Sequence, residues 1–130
     1  MVGKAPELDF MVDYEIRSAR RYQRFVSMVM VGNDSVDEKF QAIFPDVVRD
    51  SDECFCTDKG AFVLMGETDG TGALIAIDRY KKFFEGSVDL RFGVASFPFD
   101  GNTAEELIST ALRRFGQARN GELGTVVTTG

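Results

Sequence analysis

The hydrophobic positions in the first third of the chain predict a helix, a buried strand and a second helix. Apolar residues of the first helix recur about every 3.6 residues and are Leu8, Met11, Val12, Ile16 and Ala19. The apolar run 25–31 is too short for a helix and predicts a buried strand. Ser35 and Glu38 form a capping box, which predicts a short helix over residues 36–48. Pro45 is expected to interrupt the hydrogen bonding of that helix.

The middle of the chain predicts a β-hairpin followed by a third helix. Two apolar-rich runs, 53–57 and 61–65, are joined by Asp58, Lys59 and Gly60. The glycine is able to supply the positive φ of a tight turn, so the two runs are expected to pair as a hairpin. The next helix is predicted from apolar residues that share one face, which are Ala73, Ile77, Tyr80 and Phe84.

The last third of the chain predicts a strand, a long amphipathic helix and a closing strand. Gly86 is expected to end the preceding helix, and residues 88–96 predict the strand. Thr103 and Glu106 form a second capping box at the start of the last helix. The apolar stripe of that helix consists of Ala104, Leu107, Ile108, Ala111, Leu112, Phe115 and Ala118. A short strand over residues 125–128 is expected to close the sheet.

The order of these elements predicts an α+β sandwich in which helices cover a central, mainly antiparallel sheet. A chain of 130 residues with 44% hydrophobic residues is able to close one core but scarcely two. We therefore expect a single globular domain over residues 25–130, preceded by a helix within residues 1–24.

The charge and composition exclude several classes of function. With 15 Lys and Arg residues against 21 Asp and Glu residues, the formal net charge is −6, which argues against binding to DNA or RNA backbones. The chain contains no histidine. It is therefore unable to form a Ser-His-Asp or Cys-His catalytic pair, or a metal site that uses imidazole.

The two cysteines and the absence of a long apolar run predict a cytoplasmic domain. Cys54 and Cys56 would point to the same face of a strand and lie too close along the chain for a relaxed disulfide. Packing within the strand is favoured over a redox role, because no neighbouring group lowers a thiol pKa. The run 25–31 is too short to cross a bilayer, and no signal-peptide pattern is present. We expect no membrane insertion by this segment, although it could be the cytoplasmic part of a larger, membrane-associated protein.

Several motifs in order give the chain a resemblance to a known family over about residues 25–121. Arg49 and Asp52 match an R-x-x-D motif, and residues 53–57 separate it from a five-residue segment. That segment consists of Asp58, Lys59, Gly60, Ala61 and Phe62. GGDEF domains, the bacterial diguanylate cyclase family, have the same five-residue separation between their inhibitory site (I-site) and their signature. Residues 90–96 resemble the "SIGVA" strand of the family, and residues 101–107 resemble its "G-T-A-E-E-L" segment.

This resemblance implies the ferredoxin-like palm of nucleotidyl cyclases and a role in second-messenger signal transduction. It also implies that the signature is degenerate, because neither two glycines nor two acids stand at its first four positions, 58–61. The first metal aspartate of the family corresponds to Gly32, which leaves Asp34. The family's guanine- and metal-binding stretch has no counterpart between Asp34 and Arg49. We therefore expect no catalytic residue, no metal, no cofactor and no cyclase activity. An ordinary turn is the favoured interpretation of Asp58 to Gly60.

The R-x-x-D motif and Arg79 resemble the site at which the family binds cyclic di-GMP. A guanidinium binds phosphate or a guanine edge, and a carboxylate accepts from guanine N–H groups. Arg49, Asp52 and Arg79 therefore predict a cyclic di-GMP receptor, with Arg79 directed to solvent. The alternative for Arg49 and Asp52 is a solvated turn, and for Arg79 an ordinary surface position.

Two further alternatives stay open at this stage. One is a protein-interaction or dimerisation module that binds no nucleotide, with a homodimer or another protein as its partner. It is favoured over an active cyclase, which is the least favoured interpretation. The other concerns the arginines over residues 17–24, which could hold a partner but are better explained as a solvated helix end.

Overall fold

The computed structural model describes residues 5–32, 38–57, 60–85 and 89–130. Within these ranges the elements are α1 (Ala5–Tyr22), β1 (Val26–Gly32), α2 (Glu38–Val47), β2 (Glu53–Thr57), β3 (Gly60–Gly66), α3 (Gly70–Phe84), β4 (Arg91–Phe97), α4 (Ala104–Ala118) and β5 (Val126–Val127). This order is the one that the hydrophobic pattern predicts. The expected positions of Asp34, Ser35, Val36, Asp58, Lys59, Gly86 and Val88 lie outside the described residues.

The strands form one five-stranded sheet in the order β2-β3-β1-β4-β5. Strand β1 lies at its centre and pairs antiparallel with β3 on one edge and with β4 on the other. Strands β2 and β3 form the predicted hairpin, and β5 pairs parallel with β4. The expected α+β architecture with a mainly antiparallel sheet is therefore confirmed.

Two hydrophobic clusters lie on the two faces of the sheet. Alternate residues of β1 divide between them, with Val29 and Val31 in the cluster under α2 and α3. Met28 and Met30 belong to the cluster under α1 and α4. This alternation follows from the two-residue period of a strand, and it explains why β1 is buried at all seven positions.

The caps of α3 and α4 fix where these helices begin. At α4, Thr103 Oγ1 accepts a hydrogen bond from the Glu106 N–H at 3.1 Å, as the predicted capping box requires. At α3, the Asp69 carboxylate accepts from the Gly72 N–H at 2.9 Å. The cap at Asp69 was not predicted, although an aspartate before Gly70 is a typical N-cap signal.

Helix α2 ends at Val47, close to the predicted end at residue 48, and Pro45 lies in its last turn, where proline has no N–H to donate. Two local expectations were wrong. Leu112, assigned to the buried stripe of α4, is 42% exposed, because it lies at the edge of the helix face that Leu107, Ala111 and Phe115 bury. Strand β4 begins at Arg91, later than the predicted residue 88.

None of the helices in the described part of the chain combines the length and the apolar character that crossing a bilayer requires.

Leu107 provides a test of this core, because it is fully buried between α4 and the sheet. Replacement of a buried leucine by alanine removes apolar contacts and leaves a cavity, which costs about 2 to 5 kcal/mol. We expect Leu107→Ala to lower the melting temperature clearly in a thermal denaturation experiment. The matched control is Leu112→Ala on the same helix, which should change stability by less than about 1 kcal/mol. Equal melting temperatures for the two variants would show that this face of α4 is not core.

Candidate functional site

Arg49 and Asp52 lie in the short connection between α2 and β2. The Asp52 N–H donates to the Arg49 carbonyl oxygen at 3.0 Å, which closes the connection into a turn. The Arg49 side chain is exposed, and Asp52 is half-buried. The turn therefore presents one cation to solvent and holds one carboxylate partly inside the fold.

Arg79 lies on α3, next to the fully buried Tyr80. Its guanidinium carbon is 5.3 Å from the centroid of the Tyr80 ring, and its Nη2 atom is buried. This nitrogen has no hydrogen-bond partner among the described residues. The expectation that Arg79 is directed to solvent was thus wrong in part, because the side chain is half-buried against its own helix.

Both arginines influence the titration of the Asp52 carboxyl. Burial raises the pKa of the Asp52 carboxyl above its ordinary value, while the positive charges of Arg49 and Arg79 each lower it. Burial also raises the pKa of Tyr80 to about 12, with the Asp52 charge as the next cause. Asp52 is therefore within electrostatic range of both arginines, and we call Arg49, Asp52 and Arg79 the arginine site.

A groove of about 380 Å³ lies beside the arginine site. Its lining consists of Phe25, Arg49, Glu67, Thr68, Asp69, Gly72 and Ile75, so Arg49 is the member of the arginine site that borders it. Ile75 is 60% exposed and lies one helical turn before Arg79 on α3. Phe25 was predicted to belong to the first strand, and neither Phe25 nor Ile75 was predicted to be part of a site. Their unusual exposure appears only once the chain is folded.

In the segment 58–62, which resembles the family signature, the described residues Gly60, Ala61 and Phe62 belong to strand β3. Gly60 has a φ of +151° and pairs with Gly32 across the β1–β3 ladder. A Cβ atom at Gly60 would lie closer than 3.0 Å to the carbonyl oxygen of Val31. Ala61 and Phe62 are buried in the two opposite clusters. These three positions are therefore committed to packing and close backbone approach.

The cysteines are free and buried on one face of β2, as expected for packing residues. Burial, followed by the neighbouring Cys56 thiol, raises the pKa of Cys54 to about 12. A thiol with such a pKa is protonated at neutral pH and is a poor nucleophile. Across the described ranges, no three Cys, Asp or Glu side chains are grouped so that they could hold a metal ion.

Comparison with solved structures shows that the chain has the fold of GGDEF domains. The GGDEF domain of YfiN from Pseudomonas aeruginosa superimposes with a TM-score of 0.84 at 16% identity, covering 99% of this chain and 97% of that one. The active GGEEF domain of a diguanylate cyclase from Vibrio cholerae gives 0.76 at 13% identity, covering 98% and 97%.

A microbial GGDEF domain with a novel mode of interaction with cyclic di-GMP gives a TM-score of 0.74 at 12% identity. The alignment covers 95% of this chain and 89% of that one. No protein-family model matches the chain, and no curated protein sequence matches it either.

The proximity of Arg79 to Asp52 predicts a measurable change in the titration of the carboxyl group. Because a nearby guanidinium favours the carboxylate, Arg79→Gln should raise the pKa of Asp52 further. The measurement is a pH titration of the Asp52 carboxyl carbon by NMR. Arg113→Gln on α4, across the sheet, is the control and should leave this pKa unchanged. An unchanged Asp52 pKa in the Arg79 variant would contradict the proposed geometry.

Proposed function

We propose that this domain is a catalytically inactive, GGDEF-like receptor that binds cyclic di-GMP at Arg49, Asp52 and Arg79. The observation that carries the proposal is the convergence of two guanidinium groups and one carboxylate beside a groove. In addition, Arg79 Nη2 has no hydrogen-bond partner among the described residues. A buried donor without a partner carries a free-energy cost that an anionic ligand would offset.

The chemistry of the three side chains fits the two kinds of group that cyclic di-GMP presents. Guanidinium groups form bidentate hydrogen bonds with phosphate oxygens or with guanine O6 and N7. A carboxylate accepts from guanine N1–H and N2–H, both of which are donors. Asp52 is thus suited to a guanine edge, and the two arginines are suited to the phosphates or to the opposite edge of the base.

The groove supports the same ligand through its shape and its apolar lining. A volume of about 380 Å³ lies towards the lower end of the range for small-molecule sites, roughly 300 to 1,000 Å³. Phe25 and Ile75 expose apolar surface within it, and flat bases stack favourably on such surfaces. We infer that one guanine of the ligand lies in this groove while Arg49 and Arg79 hold its phosphates.

The absence of cyclase activity is proposed from the signature positions. Phosphoryl transfer by two metal ions requires carboxylates that hold Mg²⁺ beside the phosphates. Gly32, Gly60 and Ala61 provide none, and the close approach to Val31 leaves no room for a side chain at Gly60. The residues present therefore do not fit the metal ions that the resemblance implies.

The structural neighbours support the receptor part of the proposal and leave the catalytic part to experiment. One of them is a GGDEF domain that interacts with cyclic di-GMP, and another is an active cyclase domain. A further neighbour, the diguanylate cyclase SiaD of Pseudomonas aeruginosa, is in complex with its activator SiaC. Domains with this fold therefore include nucleotide-binding and protein-binding members.

Calorimetric titration with cyclic di-GMP tests the receptor function. The wild-type domain should bind, and Arg49→Ala should weaken binding by roughly one to two decades, because a charge-assisted hydrogen bond contributes about 1.5 to 3 kcal/mol. Asp52→Asn should also weaken binding, since its amide NH₂ would face guanine donors. Arg113→Ala is the matched control and should bind like the wild type.

If the wild-type domain gives neither heat nor NMR shift changes at high micromolar cyclic di-GMP, the receptor function is wrong. An interaction module without a nucleotide would then be the better account.

An assay with GTP and Mg²⁺ tests the absence of catalysis. We expect no more cyclic di-GMP than a heat-inactivated sample produces. Gly60→Asp should fail to restore activity and should lower the melting temperature, because the new side chain would collide with the backbone of β1. Turnover by the wild-type domain above the inactivated control would overturn this part of the proposal.

A further inference from the structure

The outer face of helix α1 carries a line of large side chains that the domain itself does not cover. Phe10, Tyr14, Arg17 and Arg21 follow one another at spacings of four, three and four residues. They lie on the side of the helix opposite its buried residues, which are Leu8, Val12, Ile16 and Ala19. Phe10 is 69% exposed and Tyr14 is 62% exposed. This spacing is the one that forms a seam between paired helices.

The charges of α1 are separated along its length. Its acidic residues all precede its basic ones, with acids at Glu7, Asp9, Asp13 and Glu15 and arginines at Arg17, Arg20 and Arg21. Only an antiparallel arrangement of two such helices brings unlike charges together, because a parallel pair would place acid beside acid and arginine beside arginine. Arg17 also pairs with Asp13 of its own helix at 2.9 Å, and this exposed pair stays accessible to a second helix. The helix as a whole is therefore complementary in charge to a reversed copy of itself.

We propose that α1 pairs with the α1 helix of a second copy of this chain, antiparallel and around a two-fold axis. The axis passes between Tyr14 and Arg17, so that Tyr14 lies against Arg17 of the partner subunit. Phe10 then lies against Arg21 of the partner subunit. Each contact occurs twice, as a closed two-fold interface requires.

A groove in the second half of α1 gives the partner's aromatic side chain a place to bind. It has a volume of about 350 Å³ and is lined by Tyr14, Arg17, Ser18, Arg21 and Tyr22. In the antiparallel arrangement this basic, aromatic groove faces the acidic first half of the other helix. Phe10 of the partner subunit enters it beside Arg21, and its ring interacts with the Arg21 guanidinium.

The interface is small, because the seam spans only about one and a half heptads, so the association should be weak and dependent on ionic strength. It does not require a nucleotide, and the arginine site lies on α3 and the α2–β2 turn, whereas α1 packs on the opposite face of the sheet. The proposed dimer and the proposed receptor function therefore fail or succeed separately.

Sedimentation equilibrium over a range of protein concentrations, in low and in high salt, tests the proposal. We expect a monomer–dimer equilibrium in low salt that shifts towards monomer as salt is added. Arg17→Glu with Arg21→Glu should raise the dissociation constant roughly tenfold or more, because attractive pairs become repulsive. Phe83→Ser with Lys82→Glu, an exposed pair on α3, is the control and should not change it.

A mixing experiment separates this interface from a loss of folding. The variant Glu7→Lys with Asp13→Lys should also be monomeric, but an equimolar mixture with the Arg17→Glu, Arg21→Glu variant should form a heterodimer. A wild-type monomer at every concentration and salt would overturn the proposal. So would self-association that becomes stronger with salt, because that result indicates a parallel or purely apolar contact.

Discussion

Strand β1 is buried along its whole length, and the other parts of the molecule are arranged around that burial. Strands β3 and β4 pair with its two edges at all seven positions. Its side chains alternate between the cluster under α2 and α3 and the cluster under α1 and α4. Because α3 packs on one of these clusters through Ile77 and Tyr80, β1 also fixes where Arg79 stands relative to the Arg49 turn.

The same strand restricts the chemistry at the tip of the β2–β3 hairpin. The backbone of β1 approaches Gly60 so closely that a side chain has no room there. The arginine site lies at the opposite end of β2, and five residues of a strand span about 17 Å. A change at the tip therefore leaves Arg49 and Asp52 undisturbed. In the function that we propose, this separation allows a receptor surface to persist without a catalytic one.

The elements of the fold were predictable because their signals are local. The apolar run of β1 and the stripe around Leu107 and Phe115 depend on residues near in sequence, and both appear as expected. The places where the prediction failed depend on tertiary structure. Leu112 is exposed although it belongs to the apolar stripe of α4, because the part of that stripe that is covered depends on how the helix packs on the sheet.

The candidate site was predictable only in part. The motif around Arg49 and Asp52 is visible in the sequence, and the helical face placed Arg79 outside the core. The burial of the Arg79 Nη2 atom, which has no hydrogen-bond partner among the described residues, depends on the packing of α3, which no local pattern encodes. The exposure of Phe25 and Ile75 in the groove depends on the same packing.

The most direct test of the receptor function is NMR mapping of cyclic di-GMP on the labelled domain, including the arginine side-chain N–H resonances. The account predicts saturable shift changes at Arg49, Asp52 and Arg79 and along the groove of α3, with the Nε–H signals of both arginines among the largest. Changes centred instead on the hairpin tip near Gly60 or on α1, or no changes at saturating ligand, would contradict it.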